Sequence, residues 1–141
     1  MASETLQTTV DGQEARLVDA VLKIPSLMET EPSLARRGRF LTADFQLVLG
    51  RQVCFVAIFE GTISGIETRP QIMRPAAFRI AAEVPAWLNF WKAMPEPGWH
   101  DILAMMKRNN LTVDGDLRVF MGHLQYIKDL LALPRRILGV A

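Results

Sequence analysis

Thiols and imidazoles are scarce in this 141-residue chain, which has one cysteine, Cys54, and two histidines, His100 and His123. A single thiol cannot close an internal disulfide, which fits a reducing compartment. One Cys and two His on separate segments also lack the spacing of zinc ligands. Cys54 lies within residues 53–59, the most apolar run of the chain. It therefore reads as an inert core thiol, because a nucleophilic Cys needs an accessible, electropositive setting. Charge of one sign is lacking as well: sixteen basic against fifteen acidic residues leave +1, which argues against a nucleic-acid binder. There is no G-x-S-x-G elbow and no P-loop, and the glycines Gly61 and Gly65 belong to a turn and a strand. No stretch approaches the ~20 apolar residues that cross a bilayer. Residues 1–12 lack the basic and apolar regions of a signal peptide, and the terminal Gly139, Val140 and Ala141 form no peroxisomal address. These absences lead us to expect a soluble, cytoplasmic, non-enzymatic protein without metal or cofactor.

What is present is organised in two parts. Between Glu14 and Lys23, Leu17, Val18, Val21 and Leu22 fall on one helical face, and Pro25 with the polar run 29–32 interrupts the pattern. Residues 1–38 are thus expected to be an arm with a docked helix or two. Arg36, Arg37 and Arg39 read either as a solvated edge or as a contact for anionic lipid headgroups. From residue 39 the pattern becomes strand-like. Phe45, Leu47 and Leu49 alternate with polar residues, as in a half-buried strand. Residues 53–59 are apolar throughout, which predicts a central strand covered on both faces. Residues 62–66 and 78–82 supply two more strands, residues 111–113 a short fifth, and Pro70 and Pro75 bracket a loop. Strands first and helices afterwards predict an α+β fold: a five-stranded, mostly antiparallel sheet with helices packed on one face.

Three helices are expected in the last third, over 85–94, 99–109 and 116–133. The first carries Trp87, Leu88, Phe90, Trp91 and Met94 on a broad arc, and the second carries Trp99, Ile102, Leu103 and Met106, with Met105 at its edge. The third has two stripes. Leu117, Phe120, Met121, Leu124, Ile127 and Leu131 form one, and Val119, Tyr126, Leu130 and Leu133 form the other. A surface helix needs only one stripe, so the second must be covered, either by the N-terminal helix through Leu17, Val18, Val21 and Leu22 or by a homodimer mate. Met and aromatic side chains suit an adaptable apolar surface but equally fill ordinary cores. If they enclose a guest, its lining is expected from Phe90, Trp91, Met94, Met105, Met106, Phe120, Leu124 and Ile127. His123 falls between the two stripes and reads as a half-buried histidine or as a polar anchor in a cavity wall.

The order of these elements, from Arg39 to Pro134, resembles the sterol carrier protein-2 family. The resemblance rests on the strands with Gly50, Gly61 and Gly65, the strand at 78–82, the two Trp-rich helices, and the short strand with Val113, Asp114, Gly115 and Asp116 ahead of the closing helix. It covers about two thirds of the chain and divides it into an arm, 1–38, and a sterol-carrier-protein-like lipid-binding domain, 39–141. It implies an apolar tunnel between sheet and helices for a lipid, fatty acyl or isoprenoid ligand, with at most transient membrane contact. The alternative it leaves open is an interaction or oligomerisation module, accessory to a partner enzyme in lipid or quinone metabolism.

Overall fold

The computed structural model describes residues 2–139, with side chains from residue 11 onward. Three N-terminal helices come first: α1 (Ala2–Leu22), α2 (Ile24–Glu29) and α3 (Pro32–Arg37). Strands β1 (Ala43–Leu49), β2 (Gln52–Phe59), β3 (Thr62–Glu67) and β4 (Phe78–Ala82) follow, then α4 (Val84–Phe90) and α5 (Ile102–Lys107). Strand β5 (Thr112–Gly115) and the helices α6 (Leu117–Gly122), α7 (Leu124–Ala132) and α8 (Arg135–Leu138) complete the chain.

The five strands form one mixed sheet in the order β3-β2-β1-β4-β5. Three neighbouring pairs are antiparallel, and β1 with β4 is parallel. The fold is α+β, with a mostly antiparallel sheet and helices on one face. The parallel pair has a simple cause. The connection 68–77 carries the chain from the β3 edge across β2 and β1, so β4 enters in the same direction as β1. It crosses on the face away from the helices, where Arg74 lies over the Phe55 ring at 4.5 Å and donates to Asp44 at 3.2 Å.

The register decides which residues reach the core. Leu47 sits between Cys54 and Ile80, and Phe45 between Val56 and Phe78, so these side chains share the helix-covered face. Here the 53–59 expectation needs correction. Strand β2 is flanked on both sides, yet β1 is the central strand, and the faces of β2 differ. Cys54, Val56 and Ile58 are buried inward; on the outer face Phe55 is 3% exposed beneath Arg74, whereas Val53 and Phe59 are 37% and 59% exposed. Both faces are thus covered in the middle of β2, and the outer one opens only at the two ends of the strand.

The helix boundaries also differ from the periodic reading. Helix α4 ends at Phe90, before Pro95 and Pro97, and α5 begins only after Asp101, whose carboxylate caps it by accepting from Leu103 N at 2.9 Å. The closing helix is broken at Gly122 and His123. The break re-phases its faces, so Leu117 and Met121 of the first stripe are 49% and 53% exposed. Tyr126, Leu130 and Leu133 of the second stripe are buried, and Val119 is partly so. Their cover is also different from the one expected: α3, not α1, lies against α7, tied by the Arg37–Asp129 ion pair. Helix α1 packs instead on α4, β1 and β2. Its buried line is Glu14, Leu17 and Val21, and Glu14 accepts from Arg51 N (2.7 Å), Nε (3.0 Å) and Nη2 (2.6 Å). Leu17, Val21, Ile24, Met28 and Leu34 therefore join the same core as the strands.

Candidate apolar groove between the N-terminal helices and the sheet edge

Two prolines set the path of the chain beside the β3 edge. Pro25 and Pro32 stand in the first turns of α2 and α3, where an N–H would find no helical partner. The link between them is held from the far end of the chain: Arg136 pairs with Glu31 and donates to Thr30 Oγ1 at 2.9 Å. The other end of α3 is fixed by a close approach of backbones. Gly61 has φ +82°, and a Cβ there would lie 2.5 Å from Ala35 O and from Gly38 C. Tyr126 fastens this corner, its ring against Gly38 and its hydroxyl donating to Gly61 O at 2.6 Å.

Beside this corner, residues of α2, α3 and β3 border a groove of about 410 Å³. Pro25, Met28, Pro32, Ala35 and Ile63 supply apolar walls, and Glu29 and Thr62 are the polar groups. Met28 and Ile63 are the most buried, at 6% and 8% exposure. This volume is within the ~300–1,000 Å³ of small-molecule pockets, as is the apolar lining with few polar groups. Sequence reasoning missed the groove because it read 29–32 as an interruption. The signal was Met28 between two helix-starting prolines.

The eight residues expected to line a guest are distributed differently. Phe90, Trp91, Met105, Phe120 and Ile127 are 2% exposed or less, inside the common core, with Met106 and Leu124 partly buried against it. Met94 is 88% exposed, because α4 stops four residues short of it. Met105, expected at an edge, is fully buried, and Met106 is the edge residue. The aromatic groups hold fixed positions. Trp91 stacks on Trp87 at 4.8 Å and its Nε1 donates to Leu131 O at 2.7 Å. Trp87 Nε1 donates to Val48 O at 2.9 Å, Phe120 meets Phe78 edge-on at 5.6 Å, and Arg135 donates to Phe90 O. Leu124 also borders a recess of about 250 Å³ at the α6–α7 break, shared with His123 and Tyr126.

Cys54 is buried, and burial pushes its thiol up to about 11, far from a thiolate at neutral pH. Among the described residues no group of His, Cys, Asp and Glu is placed to hold a metal ion, and no helix is long and apolar enough to cross a membrane.

No model of a known protein family matches the chain, and no curated protein sequence matches it either. Solved structures do. One is a conserved hypothetical protein of Thermus thermophilus described as a possible sterol carrier protein, with TM-score 0.66 and 12% identity over 84% of this chain and 86% of that one. Another is sterol carrier protein 2, with TM-score 0.65 and 14% identity over 83% and 94%. A third is a ubiquinone synthesis protein, UbiJ-SCP2, with TM-score 0.54 and 15% identity over 92% and 93%. The fold of this chain is therefore the sterol carrier protein 2 fold.

Proposed function

We propose that this protein binds or carries an apolar ligand of lipid, fatty acyl or isoprenoid type without catalysing a reaction on it. The observation that carries the proposal is the groove of about 410 Å³ between α2, α3 and β3, with its apolar walls and the adaptable Met28 beneath them. A fold shared with proteins described as sterol carriers agrees with it. The interior set of Phe90, Trp91, Met105, Met106, Phe120, Leu124 and Ile127, with Met94 outside, is the alternative lining. A guest there would have to displace packed side chains, which favours the groove. A lone, buried thiol suits a cytoplasmic setting.

Native mass spectrometry of protein purified from cells is expected to show a bound lipid. A photoreactive fatty acid should then label Met28, Ala35 or Ile63. Labels on Met105, Phe120 or Ile127 would move the site to the interior. Absence of lipid together with absence of labelling would sink the binding proposal. The second reading, an accessory module for a partner enzyme, is favoured by Phe40 and Phe59, which are 78% and 59% exposed, and by a fold neighbour described as a ubiquinone synthesis protein.

A further inference from the structure

The crossover connection 68–77 carries the most exposed pair of large apolar side chains among the described residues, adjacent in sequence. Ile72 is 87% exposed and Met73 is 94% exposed. They are not the ends of a slack loop. Proline stands on either side, at positions 70 and 75, and restricts the backbone. Arg74 braces the segment on the outer face of the sheet through Asp44 at 3.2 Å and the Phe55 ring at 4.5 Å. Ala77 N donates to Asp44 O at 2.7 Å at its far end. Met73 has φ +61°, a backbone conformation that L residues other than Asn and Asp seldom adopt, so the apolar tip is presented at a conformational cost.

Within the connection itself the charges have one sign, with Glu67 just before it on β3 and Asp44 beside Arg74. Residues 68–82 contain three arginines and no acid. Arg74 is engaged by Asp44, and Arg79 faces Asp114 across the β4–β5 register. Arg69 is exposed and has no ion-pair partner among the described residues. Two protruding side chains beside one cation are far less than the ~800 Å² per partner of a stable protein interface. A bilayer surface makes no such demand, because it receives small apolar wedges and attracts neighbouring arginine to anionic headgroups.

We infer that the 69–75 tip is a docking point for anionic lipid surfaces, with Ile72 and Met73 entering the headgroup–acyl boundary and Arg69 meeting phosphate. This deepens the lipid-binding proposal, because a carrier must touch the membrane from which it loads, yet it is measured separately from ligand binding. The test is sedimentation of the full chain with pure phosphatidylcholine vesicles and with mixed phosphatidylcholine–phosphatidylglycerol vesicles. The parent chain should bind the mixed vesicles and lose that binding as salt is raised. Ile72→Ser with Met73→Ser should weaken it about tenfold. Arg69→Gln should weaken it about fivefold, as expected for one basic residue near an anionic surface. Photoreactive fatty-acid labelling of the groove should be unchanged in all these variants. As a gain-of-signal measurement, Ile72→Trp should shift its emission to the blue with mixed vesicles. Failure of the parent to bind vesicles, or variants that bind like the parent, would overturn the inference while leaving the groove proposal intact.

Discussion

Tyr126 is the only tyrosine in the chain, and its hydroxyl joins α7 to the β2–β3 turn at the rim of the groove. The residue is 3% exposed, and its bond to Gly61 O is 2.6 Å long. Tyr126→Phe keeps the ring against Gly38 but leaves a buried carbonyl without its donor. An unsatisfied buried acceptor costs about 1–2 kcal/mol. For a domain of this size that corresponds to a fall in Tm of about 3–8 °C. The pH dependence gives an independent reading. Burial pushes the phenol from 10.0 up to about 12, so the folded state favours the protonated form. The contribution is complete below pH 10 and is lost as pH rises through about 12. The stability gap between parent and Tyr126→Phe should therefore narrow across that window. Tyrosinate absorbance follows this group alone, and its midpoint should fall near 12 in folded protein and near 10 in denaturant. An ordinary midpoint in the folded chain, with an unchanged Tm in Tyr126→Phe, would refute the buried bond.

Gly61→Ala should cost on the order of 3 kcal/mol or abolish soluble expression, since its Cβ would meet backbone of α3 at 2.5 Å and φ is +82°. Gly65→Ala on the strand that follows, β3, where a Cβ meets nothing within 4 Å, should change denaturant midpoints little and serves as the control. Glu14 feels two opposed effects: desolvation raises its pKa, and the hydrogen bonds and charge of Arg51 together outweigh it, leaving it below the ordinary carboxylate value. The stabilisation from this carboxylate is present above its unfolded pKa and lost as pH falls through the folded one. Glu14→Gln should accordingly flatten the acid side of the stability profile, and an unaltered acid limb would count against the anchoring of α1 by Arg51.

Much of the fold was legible because it depends on local periodicity. Alternation at Phe45, Leu47 and Leu49 marks β1, and the β-branched run after Gly61 marks β3. Periodicity alone separates the turn at Asp114 and Gly115 from its strand, since the pairing of Gly115 with Phe78 is a long-range contact. The site was less legible. An apolar side chain that packs and one that lines a groove have the same composition, so Met28 and Met105 look alike in sequence.

The sequence by itself determined the class of the fold and the run of strands β1 to β4, because these follow from residue type and spacing along the chain. Only the tertiary structure decided where open space lies. It placed α3 rather than α1 against α7, broke the closing helix at Gly122 and His123, and closed the aromatic interior with hydrogen bonds from Trp87 and Trp91. Each outcome depends on a contact between segments far apart in the chain, such as Arg37 with Asp129 or Tyr126 with Gly61. Periodicity reports which face of an element is apolar, whereas a groove exists only where two such faces fail to meet.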